Sequence, residues 1–166
     1  MSEADRVPRL REPRERVSPR ARSMWALTAG LEGVALVAAA VVAGPLTGWL
    51  PLPWWSIVLL ALLATTYVAV VPAWRYSVHR WEVTDTAVYT QTGWWARERR
   101  IAPMSRIQTV DHVEGAIARL FGLSTVTVTT ASAAGALEIS GLERARALAL
   151  VDELTLMADS VPGDAT

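Results

Sequence analysis

Two long apolar runs constrain this chain more than any other feature of its sequence. Residues 24–44 form a run of 21 whose only charged side chain is Glu32, and residues 54–74 form a second run of 21 with no charge. As a helix each run would be about 31 Å long, which matches the roughly 30 Å hydrocarbon thickness of a bilayer. The sequence therefore predicts two transmembrane helices, joined into a hairpin over residues 24–74 by a proline-rich, uncharged segment.

The distribution of arginine predicts the orientation of this hairpin. Seven arginines precede the first run, Arg75 and Arg80 follow the second, and the connecting segment has none. Because basic residues accumulate on the cytoplasmic side, we expect a multi-pass protein of the plasma membrane with both termini in the cytoplasm. A cleaved signal peptide fits less well, because its apolar part spans only about 7–15 residues. Residues 75–159 then form a cytoplasmic domain, followed by a tail over residues 160–166.

The first 23 residues form a polar leader that mixes arginines with acidic residues and prolines. Such a composition cannot bury a core, so we expect the leader to be disordered. Its arginines either bind anionic headgroups or only fix the topology, and the positive-inside rule favours topology.

Glu32 is the one charged residue within the apolar runs. A carboxylate near the middle of a bilayer costs at least about 2.5 kcal/mol, so it needs a partner or a function. In an antiparallel hairpin Thr65 and Thr66 lie at a matching depth, and we expect a structural hydrogen bond between Glu32 and one of these hydroxyls. Self-association through the neighbouring small residues, and proton or ion chemistry, remain as alternatives.

Beyond Trp74 the pattern changes from helical to alternating. A short helix is expected at residues 116–122, with Gly122 as its C-cap, and an amphipathic helix at 142–158. We expect Leu120 and Phe121 to plug the short helix onto the core, and Val126 and Val128 to point inward. Six strands are predicted, at residues 76–83, 87–93, 94–103, 106–115, 123–130 and 136–140. The fold class is α+β, a bent antiparallel sheet or small open barrel with the C-terminal helix over one opening.

Residues 97–142 resemble the bacterial PH-like domain of YdbS-type membrane proteins. The resemblance combines Ile-x-Pro, Ser-Arg-Ile-Gln-x-Val, the helical Arg-Leu-Phe-Gly-Leu and the alternating strand after it. It implies a PH-like fold over about residues 76–158, preceded by two transmembrane helices. The residues that carry it are Ile101, Pro103, Arg106, Ile107, Gln108, Val110, Arg119, Leu120, Phe121, Gly122, Leu123, Val126 and Val128.

A basic and aromatic segment is the candidate membrane-surface contact. It consists of Trp94, Trp95, Arg97, Arg99 and Arg100, residue types that occupy the headgroup region of bilayers. The alternative is that the tryptophans cover one face of the barrel while the arginines form a solvated row partly neutralised by Glu98. No basic loop matching a phosphoinositide site is present.

The sequence does not indicate an enzyme. It has no cysteine, its two histidines lie on separate predicted strands, and it has no phosphate loop or hydrolase motif. We expect no catalytic, metal or cofactor site and no nucleic-acid partner. The expected function is that of a scaffold or an interaction and oligomerisation module at the cytoplasmic face of the membrane. Its partners would be the lipid bilayer and an unidentified protein, including a second copy. The alternative is a lipid-surface or envelope-stress sensor that uses the basic and aromatic segment.

Overall fold

The computed structural model describes residues 12–47, 53–93, 95–131 and 135–160. Two long helices pack against each other, α1 (Arg20–Thr47) and α2 (Trp54–Val78). Both are long and apolar enough to cross a membrane. They approach closely at Gly33, where an added Cβ would lie 3.3 Å from the Cβ of Ala64. Small residues at this crossing therefore set the distance between the helices.

The remaining elements form an α+β domain, as predicted. All strand pairs are antiparallel, in one sheet of order β1-β2-β3-β4 and a second of order β5-β6-β7. In the described part of the chain the two sheets do not close into a barrel. The elements are β1 (Glu15–Arg16), β2 (Arg80–Val83), β3 (Ala87–Thr92), β4 (Glu98–Pro103), β5 (Ile107–Val113), α3 (Ala116–Leu120), β6 (Leu123–Thr130), β7 (Leu137–Glu143) and α4 (Arg144–Ser160).

The core lies between the two sheets and under α4. Val126 and Val128 are fully buried, as the alternation in β6 predicts. The apolar stripe of α4 is buried at Ala147, Leu150 and Leu154, which places this helix across one opening between the sheets. Gly122 has a φ of 65° and ends the segment that contains α3, in agreement with its prediction as a C-cap.

The structure differs from the expected plug at α3. Leu120 is 79% exposed, whereas Phe121 is partly buried against the core. The segment is therefore held by Phe121 together with Ala118. Leu120 points away from the core because consecutive residues of a helix point in directions about 100° apart.

The structure also differs from the expected disordered leader. Residues 1–11 lie outside the described residues, but residues 12–19, here called the N-terminal strap, are part of the domain. Glu15 and Arg16 pair with β2. Val17 is buried, and the backbone N–H of Ser18 donates to the carbonyl of Gly141 in β7 at 2.9 Å. The strap thus connects the two sheets, using backbone pairing that composition does not reveal.

The first predicted strand begins too early. Residues 76–78 continue α2, and the strand starts at Arg80. His79 is the residue between them, with the extended backbone of a helix C-cap. No flexible linker separates α2 from β2, so the second long helix runs directly into the domain.

Candidate functional site

The domain is built around the ends of both long helices. Ala21 and Trp25, in the first two turns of α1, belong to the buried core. Gly141 in β7 has a φ of 83°, and an added Cβ there would lie 2.7 Å from the Cβ of Ala21. This contact leaves no room for a side chain, so α1 is seated against β7 at the point where it enters the domain.

A cluster of polar and aromatic groups, here called the junction cluster, fills the space between the two helix ends. The guanidinium of Arg75 lies over the Trp25 ring at 4.3 Å from its centroid, and the edge of His79 meets the same tryptophan at 5.5 Å between ring centroids. His79 Nε2 lies 3.5 Å from Ser140 Oγ. The imidazole of His79, directly after α2, therefore contacts residues of both α1 and β7.

His79 sits in an environment that favours its neutral form. Burial, with a smaller contribution from the positive charge of Arg75, lowers its pKa to about 4. The residue is only 4% exposed, and its Nδ1 has no hydrogen-bond partner within the described residues. The imidazole is thus uncharged at neutral pH and retains unused hydrogen-bonding capacity.

Beside the junction cluster lies a cleft of about 560 Å³, here called the junction cleft. One wall is the domain-proximal part of α2, and the others come from β3, β4 and the start of β7. The lining residues are Tyr67, Val71, Arg75, His79, Thr90, Thr92, Gly93, Glu98, Arg100, Ala136, Glu138 and Ser140. The cleft therefore lies between a candidate membrane span and both sheets.

Two of the four charged residues of the junction cleft are engaged with each other. Arg100 Nε donates to Glu98 Oε1 at 2.6 Å, and its Nη1 donates to the carbonyl of Ala136 at 3.0 Å. Arg75 and Glu138 make no ion pair with any other residue that the structure describes. The cleft therefore offers one positive and one negative group whose charges are not matched within the described chain.

The predicted membrane-surface segment is only partly available for contact. Trp94 lies outside the described residues, whereas Trp95 is 88% exposed and does not cover a face of the domain. Arg97 and Arg99 approach Glu12 of the strap at 3.7 and 3.4 Å. The strap, in addition to the predicted Glu98, thus neutralises part of this basic row.

Arg99 also has a structural role. Its Nε donates to Gln91 Oε1 at 2.9 Å, and Gln91 Nε2 donates to the carbonyl of Val78 at 3.1 Å. These two hydrogen bonds satisfy the last carbonyl of α2 and connect it to β4. Arg99 and Arg100 are therefore held by internal contacts, and Arg97 is the most exposed arginine of the segment.

The predicted hydrogen bond between Glu32 and a threonine is not formed. Thr65 and Thr66 each donate to a carbonyl of α2 one turn earlier, those of Ala61 and Leu62, at 2.8 Å. Glu32 is exposed and lines a groove of about 310 Å³ between the two long helices. It makes no hydrogen bond or ion pair with another described residue.

The described residues contain no group of three or more side chains that could hold a metal ion. Sequence reasoning missed the junction cleft, because its walls come from segments far apart in the chain. The only local signal was the spacing of Arg75 and His79, four residues apart and so on one face of a helix.

Comparison with known proteins identifies the architecture. The family model for the bacterial PH domain matches residues 26–158. The chain belongs to the bacterial PH domain family. It is also 26% identical over 153 residues to the UPF0699 transmembrane protein YdbS of Bacillus subtilis (strain 168), covering 89% of this chain and 94% of that protein. No solved structure matches it. The predicted YdbS-like resemblance is thereby confirmed, and the protein is a membrane protein with a bacterial PH domain.

Proposed function

We propose that this protein is a membrane-anchored PH-like module that acts as a scaffold by associating with a second copy of itself in the membrane. Both long helices cross the bilayer, and the PH-like domain and both termini lie on its cytoplasmic side. The excess of arginine around the helix ends next to the domain supports this orientation.

The N-terminal strap supports the hairpin independently of charge. The strap precedes α1 and β2 follows α2, yet Glu15 pairs with Trp81 in one sheet. The two segments must therefore lie on the same side of the membrane. An even number of crossings between them meets this requirement, and the two apolar helices provide it.

The exposure of Glu32 is the observation that carries the proposal. Glu32 lies seven residues after Trp25, where α1 leaves the core of the domain, about 10 Å along the helix and so within the apolar span. An exposed carboxyl group at that depth is costly unless another polar group meets it. Since the described chain supplies no partner, a second hairpin is the partner that we assign, with the groove beside Gly33 as the surface against which its helix packs.

Self-association can be measured by single-molecule energy transfer between labelled copies in proteoliposomes. We expect Glu32→Leu to weaken association about fivefold, the equivalent of about 1 kcal/mol for one interhelical hydrogen bond. Thr65→Val is the matched control, because it also removes a polar group from a long helix but breaks only a bond within α2. Equal association of Glu32→Leu and the unaltered protein would reject the proposal.

Contact between Trp95 and the lipid surface is a second candidate function. Trp95 is 88% exposed, and the neighbouring Thr92 and Gly93 line the same cleft as Tyr67 of α2, which places this turn beside a membrane helix. Because the chain has no cysteine, an environment-sensitive dye can be attached to a single introduced cysteine. Emission should shift to the blue in vesicles for Trp95→Cys and not for Asp85→Cys, at the far end of the β2–β3 hairpin; equal spectra would exclude this role.

A further inference from the structure

We propose that the junction cleft binds a zwitterionic phospholipid that carries a primary ammonium group, the chemistry of phosphatidylethanolamine. Three features of the cleft support this assignment: its position along α2, its unmatched charges and the orphaned nitrogen of His79. None of them involves Glu32, although Tyr67 lines both the junction cleft and the groove of the proposed self-association.

The position of the cleft requires a ligand that is polar at one end and apolar at the other. Tyr67 and Val71 of its wall precede Arg75 by eight and four residues, about 12 and 6 Å along the helix. Trp74, next to Arg75, is 51% exposed and is a residue type of the membrane interface. The Tyr67 end of the cleft thus faces the hydrocarbon, whereas the His79 end faces the domain. A lipid entering sideways from the bilayer matches both ends.

The positive side of the cleft suits a phosphate. Arg75 is held over Trp25 and has no acidic partner among the described residues. A guanidinium fixed in this way donates to phosphate oxygens without having to break an existing ion pair. The hydroxyls of Thr92 and Ser140 line the same space and supply further donors.

The negative side of the cleft distinguishes among phospholipids. Glu138 lies on β7 with an exposed side chain and no cationic partner in the described chain. A lipid whose headgroup carries only negative charge would be repelled by it. A primary ammonium group donates up to three hydrogen bonds to a carboxylate, whereas the quaternary ammonium of choline donates none. Ethanolamine is therefore the headgroup that fits.

His79 adds an unpaired buried nitrogen to the wall of the cleft. It lines the cleft, is almost completely buried, and its Nδ1 lacks a partner among the described residues. Buried polar atoms are rarely left unpaired in native proteins. His79 therefore has a buried nitrogen whose hydrogen bond is not satisfied within the described chain.

The test uses the full-length protein in nanodiscs that contain equal amounts of phosphatidylethanolamine, phosphatidylglycerol and phosphatidylcholine. Native mass spectrometry then measures which lipids remain bound after release into detergent. We expect phosphatidylethanolamine to be retained above the other two. Glu138→Gln should lower the ratio of retained phosphatidylethanolamine to phosphatidylglycerol about fivefold, the equivalent of about 1 kcal/mol.

Asp85→Asn is the matched control, because Asp85 is an exposed acid that does not line the cleft. It should leave the ratio unchanged, and Arg75→Gln should reduce the retention of all three lipids. Retention in the same proportions as the bilayer, preference for phosphatidylglycerol, or equal effects of Glu138→Gln and Asp85→Asn would each overturn the proposal. Displacement of bound lipid by an equal concentration of soluble phosphoethanolamine would also overturn it, because the acyl chains would then contribute nothing to binding.

Discussion

The two long helices have different surroundings at their two ends. Next to the domain, Ala21 and Trp25 of α1 and Val78 of α2 are buried in protein, whereas Leu31 and Leu62 farther along are exposed to the membrane. Only the exposed parts are independent of the domain, because lipid can replace the contacts that they make. The buried ends are components of the core, so this domain is not a module attached by a linker.

Removing Trp25, at the buried end of α1, should lower the stability of the protein more than any other substitution considered below. Trp25→Ala would leave a cavity between Arg75 and His79, and we expect a loss of about 4 kcal/mol in the free energy of unfolding. Trp54→Ala, at the far end of α2 with an exposed side chain, should have little effect. Thermal unfolding in detergent micelles measures both, and equal stability of the two variants would show that the helix ends are not part of the core.

A methyl group at Gly141 should have the next largest effect. Gly141→Ala adds a Cβ against Ala21 and forces alanine into a left-handed backbone conformation, which together should cost about 3 kcal/mol. Gly135→Ala meets the same backbone requirement at a φ of 80° but has open space around it, so about 1 kcal/mol is expected. The difference between the two unfolding midpoints therefore isolates the contact between α1 and β7. If both variants lost the same stability, that contact would not be tight.

Acid should weaken the junction through His79. Because the pKa of His79 is lowered from 6.5 to about 4 in the folded protein, the unfolded chain binds a proton more readily between these values. The stability due to neutral His79 is complete above pH 6.5 and is lost as the pH falls toward 4. The unaltered protein should therefore lose about 2 kcal/mol more than His79→Gln between about pH 7.5 and about pH 5. Parallel stability curves would contradict the burial of this ring.

The smallest effect is expected at α3, which packs near the start of α1. Phe121→Ala should cost about 1–2 kcal/mol, less than for a fully buried ring, because Phe121 is only partly buried. Leu120→Ala should change stability by less than about 0.5 kcal/mol, since its side chain is 79% exposed. Thermal unfolding in detergent micelles tests this pair. A larger loss of stability for Leu120→Ala than for Phe121→Ala would support the predicted packing of Leu120 onto the core.

The features that sequence predicted are those encoded over short distances. The span helices, the alternation of β6 and the apolar stripe of α4 each repeat within one element, and the structure has all of them. The strap, the Arg99–Gln91 chain and the junction cleft depend on residues brought together from distant segments. The alternation of apolar and polar residues from Tyr76 to Val78 predicted a strand, but these residues lie at the end of α2. A helix that enters a domain is contacted on several faces, so its apolar residues no longer follow the helical period.

The N-terminal strap also bears on how the protein is made. Ser18 is among the first described residues to be synthesised, and the carbonyl of Gly141 that it binds is among the last. Contacts between residues so far apart in sequence form slowly. Both helices can enter the bilayer before the domain is complete, so Glu15 and Arg16 can pair with β2 early, whereas Ser18 must wait until translation of β7 supplies its partner. The bond between Ser18 and Gly141 is thus a contact that only a nearly completed chain can make.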